Sequence, residues 1–351
     1  MRRIRFITGI PANVLRGSGN YVGTQTLAKS LRELGAQVDF VTPQFHLPFY
    51  TLERFLFNQT LRFRKLKPCD ASVGFDLDGY TVAGRSSVPH FAHIKGVLAD
   101  AVPFERGFTG ATLGIQARWE ALHARRADRV ITISQYCALR IRELYGVRKP
   151  ISVVPESIDL AMWLELFRRN PAERRQGKFT VLSVCRFYPR KRVDLLLEAA
   201  SRLSESIPEL EVRIVGGGPD AGKLRELWRA KGLEACVTWV GDVSKSDLAR
   251  EYNRADVFCH PSEQEGFGIV FLEAMAAGRP IVAANSSAVP EVVKHGILVE
   301  PANSSALAEA IERLYRDPDE RASLGRLGTR HVEQFDGPLV ARLFLAELER
   351  A

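Results

Sequence analysis

Short apolar runs alternate with amphipathic stretches of helical period along this chain, and the alternation occurs twice. In the first half the strand-like runs are Arg5–Thr8, Gln37–Val41, Phe91–Ile94, Val130–Ile133 and Ile151–Val154. The helical stretches there are Tyr21–Leu34, stopped by Gly35, and Gln135–Leu144, capped by Ser134. A second series opens at Thr180–Val184. It continues through helix Val193–Leu203, strand Val212–Val215, helix Lys223–Ala230, strand Val237–Val240, helix Ser246–Arg254, strand Val257–Cys259 and strand Ile281–Ala284. Strands that are apolar on both faces, separated by helices, imply parallel sheets covered on both sides. Two such series predict two doubly wound α/β domains. Sheets of this kind bind ligands at the carboxyl ends of their strands, hence in the cleft between the two domains.

The length of 351 residues suits two domains better than one core. Pro155 begins a link, and the polar stretch from Asn170 to Lys178 reads as a surface connector. The basic start MRRIRFITGIP has its apolar run broken by Gly9 and Pro11, so it reads as a first strand and not as a signal peptide. No apolar run reaches the roughly 20 residues that span a bilayer. Five cysteines, at 69, 137, 185, 236 and 259, show no paired short spacing, which argues for a reducing compartment and against a disulfide frame or zinc knuckle. A cytoplasmic location is expected. The net charge of +8 is unevenly placed. Residues 1–160 hold 22 Lys and Arg against 13 Asp and Glu, a net +9, and the remainder hold 27 against 28, a net −1. The positive field belongs to the first half, where it favours an anionic partner or serves only solubility.

Chemistry concentrates in HPSEQEGFGIVFLEAMAAGRPIV. Glu265 and Glu273 are separated by seven residues, with Gly266-Phe267-Gly268 after the first and the apolar run from Ile269 carrying the second. A strand end, a Gly-containing loop and a helix opening near Gly268 place Glu265 at the helix N-terminus and Glu273 about one and a half turns inside. Backbone N–H groups at such a start attract anions, while a carboxylate there accepts hydrogen bonds from hydroxyls. Phosphate plus hydroxyls at one helix end suggests a sugar nucleotide. Upstream, Arg186 and Lys191 flank the loop after strand Thr180–Val184. Two fixed cations there neutralise a diphosphate, or form a solvated basic loop together with Arg190 and Arg192.

On the carboxylate spacing, the EGFG segment and the small residues before Pro280, the chain resembles glycosyltransferase family 4, retaining enzymes of the two-domain GT-B fold. Four further segments agree in order: SVCRFYPRKRVDLLLEAA, RIVGGGPD, ADRVITISQY and GSGNYVGTQTLAKSLRELGAQVDFVT. The resemblance covers nearly the whole chain and is looser in the first half. It implies an acceptor-binding Rossmann-like domain over 1–160, a nucleotide-sugar domain over 161–335, and a last helix, 336–351, returning to the first domain. It implies Glu273 on ribose hydroxyls, Arg186 and Lys191 on the diphosphate, and Glu265 on the sugar hydroxyls, helped by the amides around Gly266, Phe267, Gly268 and Ile269. Gly19 becomes the loop glycine near donor phosphate and acceptor, although a tight turn uses it equally well. Gly19 to Gly23 leaves three residues between, so Gly17-Ser18-Gly19 is not a nicotinamide fingerprint. His93, at a strand end, would face the transferred sugar, with His90 as its rival. Gly216 and Gly218 either frame the nucleotide or make a turn, and the segment ending in Val243 would border the base through its backbone. The chain departs from the family at Cys185 and Arg192, where glycines are common.

The segment from Pro48 to Lys67 combines Phe49, Tyr50, Phe55, Leu56, Phe57, Leu61 and Phe63 with Arg54, Arg62, Arg64, Lys65 and Lys67, against one acid, Glu53. It reads either as a core-facing helix with a basic outer face or as an interfacial membrane segment. Nucleic acid is the less favoured partner, since no recognisable module accompanies it. The resulting expectation is a retaining hexosyltransferase using a UDP-, GDP- or ADP-sugar. Its acceptor would be a glycan, a lipid-linked molecule or a small molecule, with weak peripheral contact to the inner face of an anionic membrane. Asp76-Leu77-Asp78 has the letters of a metal pair, but a turn toward Gly79 explains it as well, and no essential metal or cofactor is expected. Two alternatives stay open: another enzyme of the same fold, such as an epimerase or phosphorylase, and a binder of anionic polymers through the basic first half.

Overall fold

The computed structural model describes residues 2–9, 14–172 and 177–350. The chain divides into two units, residues 1–157 with 337–351, and residues 158–336. Unit 1 runs β1 (Arg3–Ile7), α1 (Val14–Glu33), β2 (Gln37–Val41), α2 (Tyr50–Thr60), β3 (Ala71–Phe75), β4 (His90–Ile94), α3 (Leu98–Ala101), α4 (Gly107–Arg126), β5 (Arg129–Thr132), α5 (Gln135–Tyr145) and β6 (Ile151–Val153). Unit 2 runs α6 (Leu160–Arg169), β7 (Phe179–Val184), α7 (Val193–Ser206), β8 (Leu210–Val215), α8 (Ala221–Ala230), β9 (Val237–Gly241), α9 (Lys245–Arg254), β10 (Val257–His260), α10 (Ile269–Ala276), β11 (Ile281–Ala284), α11 (Val289–Val292), β12 (Ile297–Val299), α12 (Ser304–Arg316) and α13 (Pro318–His331). Helix α14 (Gly337–Glu349) then belongs to unit 1.

Both sheets have six strands, and their pairings are parallel. The order in unit 2 is β12-β11-β10-β7-β8-β9. Counted from that unit's own first strand, this is the dinucleotide-fold order 3-2-1-4-5-6 read from the other edge, with its switch point between β7 and β10. Unit 1 has the order β2-β1-β3-β4-β5-β6. That is the flavodoxin-like order, with the switch between β1 and β3. The two doubly wound domains are therefore not copies of one topology.

In unit 1, Phe6, Phe75, Phe91 and Phe344 are fully buried in one core with Leu27 and Leu31 of α1. The Phe6 and Phe344 rings lie 6.3 Å apart, so α14 completes this core. In unit 2, α7 and α12 cover β7, β8, β10 and β11 through Leu196, Leu197, Ile311 and Leu314. Capping follows local chemistry: Ser134, Asp159, Ser244, Asn303 and Asp317 each accept a backbone N–H at the start of their helices.

Several elements depart from the sequence expectation. Helix α1 begins at Val14, so Gly19 lies in its second turn and not in a loop before it. Glycine in a helix interior costs about 1 kcal/mol relative to alanine, but packing of the later turns decides the helix, with Leu27, Ala28 and Leu31 buried. Residues 10–13, part of the expected first loop, and 173–176, part of the expected connector, lie outside the described residues. Strand β3, helices α4 and α6, and strand β12 were not anticipated. Among the described residues no helix is long and apolar enough to cross a membrane.

Candidate functional site

Two loops meet at the β7/β10 switch point. One runs from Cys185 to Arg192 after β7, and the other from Pro261 to Gly268 after β10. They are tied backbone to backbone, since Glu263 donates its N–H to the Arg190 carbonyl at 2.9 Å. The Ser262 hydroxyl donates to the same carbonyl at 3.2 Å. Arg192 adds a side-chain tie, pairing with Asp194 at 2.9 Å and with Glu263. Its backbone is left-handed, with φ 50°. A glycine, which the resemblance leads one to expect here, would take this conformation without strain. Here an arginine takes the strained conformation and is held by two carboxylates.

Glu265 is the hub of the second loop. Its carboxylate receives the Lys191 ammonium and the His260 Nε2–H, the latter at 2.7 Å. Its backbone N–H donates to the Ser287 hydroxyl at 2.9 Å. Burial alone would raise its pKa, but Lys191 and His260 outweigh burial and hold it well below the ordinary carboxylate range. Burial lowers the pKa of Lys191, opposed by Glu265. It also lowers that of His260, so the imidazole is neutral at pH 7 and donates its Nε2–H to the carboxylate. An ammonium has three donors, and one of those on Lys191 is used on Glu265.

Glu273 is the only charged residue of α10, whose other residues are apolar, and it is buried. The Tyr252 hydroxyl donates to it at 2.9 Å. Burial pushes its pKa up to about 7, and the Tyr252 hydrogen bond and Lys245 offset this only in part. Gly268 precedes α10 with φ 89°. A Cβ there would stand 2.5 Å from the Phe271 ring, so only glycine fits. Phe267 turns its ring inward against Phe335, at 5.6 Å. Ile269, half-buried, is the first residue of α10, and Gly266 lies in the loop before it.

Arg186 is half-exposed and meets the exposed Asp242 at 3.3 Å. Gly216 and Gly218 make the turn after β8, against the first loop. A Cβ at Gly216 would come within 2.0 Å of the Cys185 carbonyl, and one at Gly218 within 2.6 Å of the Phe187 nitrogen. Close approach of two backbones therefore accounts for both glycines. Val243 is half-buried, two residues after β9.

In unit 1, His93 sits at 3% exposure between Phe75 and Phe344, with ring centroids 5.2 and 5.4 Å away. Neither ring nitrogen has a partner among the described residues. Burial and Lys95 drive its pKa well below 6.5, so it is neutral. Its surroundings are those of a core side chain and not the open strand end expected. Its rival His90 is also buried, bonded to His123 at 2.9 Å and to Ser72 at 3.2 Å. The Asp76-Leu77-Asp78 pair is consumed internally. Asp78 receives Arg54 at 2.7 Å and Asn58 at 3.0 Å, while Asp76 receives the Lys95 amide at 2.8 Å. Arg54 therefore leaves the outer basic face assigned to it, and Glu53 is buried as well, accepting from the Leu47 amide at 2.7 Å.

Sequence reasoning did not single out His260, Tyr252, Ser287 or Glu263. Of these, His260 carried a usable signal, a histidine closing a strand five residues before Glu265.

Two family models tile the chain. One described as glycosyltransferase family 4 matches residues 17–162, and one described as glycosyl transferases group 1 matches residues 166–331. A GDP-mannose-dependent alpha-(1-6)-phosphatidylinositol monomannoside mannosyltransferase of Mycobacterium tuberculosis is 31% identical over 249 residues, which cover 63% of this chain and 64% of the relative. A D-inositol 3-phosphate glycosyltransferase of Kribbella flavida is 31% identical over 241 residues, covering 64% of this chain and 57% of the relative. The match thus spans less than two thirds of these relatives' length. Among solved structures, a sucrose-phosphate synthase from Thermosynechococcus elongatus superposes with TM-score 0.83 at 22% identity, covering 100% of this chain and 98% of that one. Anabaena HepE in complex with UDP and glucose gives TM-score 0.76 at 21% identity, covering 100% of both chains. The chain belongs to glycosyltransferase family 4 and has the GT-B fold.

Proposed function

We propose that this protein is a retaining glycosyltransferase that moves a hexose from a nucleoside-diphosphate sugar to an acceptor hydroxyl. The observation that carries the reading is the convergence of Lys191, Glu265 and His260 at the β7/β10 switch point, with the half-exposed Arg186 in the same loop as Lys191. In this proposal the diphosphate displaces Asp242 from Arg186 and takes the remaining donors of Lys191. Glu273, in its ionised form, accepts the ribose hydroxyls. Glu265, kept anionic and oriented by His260, accepts the sugar hydroxyls beside the amides that open α10. Fixed cations stabilise the leaving diphosphate as charge develops on it. The bond from the anomeric carbon to the phosphate oxygen breaks, and the bond to the acceptor oxygen forms. The acceptor proton passes to the departing phosphate oxygen, which gains negative charge, and so basicity, as the bond to it breaks.

His93 enters only through its two unpartnered ring nitrogens, groups that a buried ligand or water would satisfy. The relatives' names include GDP-mannose and phosphatidylinositol mannoside acceptors, and a structural neighbour is named with UDP and glucose. They motivate UDP and GDP in a donor screen, with ADP as the third nucleotide expected from the sequence, and a lipid-linked acceptor among the candidates. Thermal shift with each nucleoside diphosphate tests the site, since a ligand that binds only the folded state raises its midpoint. Release of nucleoside diphosphate from the donor only when acceptor is added tests the reaction. Release without acceptor would instead favour hydrolysis, conversion of the donor into another nucleotide sugar without release would favour an epimerase, and no shift with any of the three would overturn the donor site.

A further inference from the structure

Helix α2 has two apolar faces, and only one serves the core. Phe57 and Leu61 point inward, alongside the buried Arg54 and Asn58. On the opposite side Phe49, Leu52, Leu56 and Phe63 recur at spacings of three, four and seven residues, the period of a helix face and its closing turn. They are 61%, 46%, 37% and 87% exposed. Helix α4 packs beside α2, with Gln116 donating to the Thr51 hydroxyl at 2.8 Å and Trp119 against Phe55 at 5.4 Å. It adds Phe108 and Ile115, two turns apart, at 76% and 42% exposure. Of the thirteen large apolar side chains exposed among the described residues, seven lie on these two helices and their ends, so the exposure is a patch and not a scatter.

Charge selects the occupant. Arg62, Lys65 and Lys67 are exposed at the end of the stripe, and Arg64 is half-exposed beside them. The segment's one acid, Glu53, is buried and cannot oppose them. We infer that the outer face of α2, extended by Phe108 and Ile115 of α4, docks on an anionic lipid surface. The aromatic and aliphatic side chains enter the acyl boundary, and the four cations meet the headgroups. The surface is independent of the donor site, and its test reads binding and not transfer.

The experiment is vesicle co-sedimentation of the full chain, using phosphatidylcholine alone and phosphatidylcholine with phosphatidylserine, at low and high salt. Wild type is expected on the anionic vesicles at low salt and largely off them at high salt, as screening weakens the headgroup term. Replacing Arg62, Arg64, Lys65 and Lys67 together by glutamine should lower partitioning by on the order of 100-fold. The triple variant Leu52→Ser, Leu56→Ser, Phe63→Ser should lower it by about tenfold or more, with its net charge unchanged. Both variants change surface side chains, so the thermal midpoint and the nucleoside diphosphate shift should match wild type. Wild type that ignores anionic vesicles at low salt overturns the inference. So does a serine variant that binds as well as wild type, because a diffuse basic field then suffices. Concentration-dependent self-association or oligonucleotide binding that these substitutions abolish, without vesicle binding, would reassign the surface to a protein or nucleic acid.

Discussion

The two units end their central strands in charged clusters that are satisfied in opposite ways. In unit 1 the Asp78 carboxylate is fully buried and receives Arg54, Asn58 and the Gly9 amide. Lys95 pairs with Glu156 at 2.9 Å, both side chains nearly inaccessible, in a space that exists because Gly23 of α1 has no Cβ. In unit 2 the cations are less consumed: Arg186 is half-exposed and holds an exposed aspartate at 3.3 Å, and Lys191 shares its ammonium with Glu265. Charges at strand ends do not by themselves mark a ligand site. A cation with donors to spare, within reach of solvent, leaves room for an anion. The first cluster fastens loops, and the second is the one to which the proposed function assigns the diphosphate.

That contrast predicts opposite phenotypes. Glu265→Gln preserves volume but removes the charge that pairs with Lys191 and, in the proposed reaction, accepts the sugar hydroxyls, so transfer should fall by on the order of 10²–10³-fold. The thermal shift with nucleoside diphosphate should persist. Near wild-type turnover in this variant would remove Glu265 from the reaction. Arg54→Ala should do the reverse, because removing one partner of a buried ion pair strands the other and costs about 3–5 kcal/mol. Denaturant unfolding should show that loss, while the protein still folded should bind nucleoside diphosphate as wild type does. If Arg54→Ala instead leaves stability intact and weakens ligand binding, the division between a fastening cluster and a binding cluster fails.

The difference between the units also governs what the sequence discloses. Glu265 and Glu273 are legible because strand, loop and helix follow one another within a short span, and spacing alone sets their places. The partners are not legible in the same way. Tyr252 lies 21 residues before Glu273 and Ser287 22 residues after Glu265, and sheet order brings them together. Arg54 looks like one of a row of surface cations until the turn after β3 places Asp78 against it. Strand Gln37–Val41 and strand Ile281–Ala284 coincide with their predicted bounds: the first places Val38, Phe40 and Val41 shortly after the helix stop at Gly35, and the second is an unbroken apolar run directly after Pro280. Strand β3, ASVGF, carries a serine and a glycine and falls below the pattern's threshold. Helix α4 contains three glycines and is held by packing of Ala117, Glu120, Ala121 and Ala124 instead of propensity. Helix α6 had a clear signal, with Asp159 as its cap and Trp163 facing inward, and its polar surroundings made it read as a link.

A smaller effect sharpens the account of Glu273. With its folded pKa raised to about 7 by burial, the group is protonated in the folded protein where the unfolded chain has already lost the proton. Its contribution therefore stabilises the fold below the ordinary pKa of about 4.5 and is lost as pH rises through 7. Accepting ribose hydroxyls on both oxygens calls for the ionised form, so nucleoside diphosphate affinity should rise by about tenfold between pH 6 and 8, with one proton released on binding below pH 7. Calorimetry in buffers of different ionisation enthalpy measures that proton. Glu273→Gln should flatten the profile and should be more stable than wild type at pH 8. A flat wild-type profile would show that Glu273 is not the residue whose ionisation nucleotide binding requires.

The smallest expected effect tests whether the loop after β7 is ordered by its own arginine. Arg192 holds a left-handed backbone that costs a non-glycine residue roughly 1 kcal/mol or more. Its guanidinium repays that strain by linking Asp194 to Glu263, and so the loop after β7 to the loop after β10. Arg192→Gly relieves the strain and cuts both ties, so stability should change by less than about 1 kcal/mol as the two effects oppose. Donor KM should rise about three- to fivefold with kcat little changed, because the loop must then be ordered by the ligand. Arg192→Lys keeps the strain and one point charge, and it should fall between glycine and wild type. A merely structural tie would move stability and not KM. Tighter donor binding in the glycine variant would show that the strap holds the loop away from its binding geometry, and the rigidity of unit 2 would then oppose its ligand.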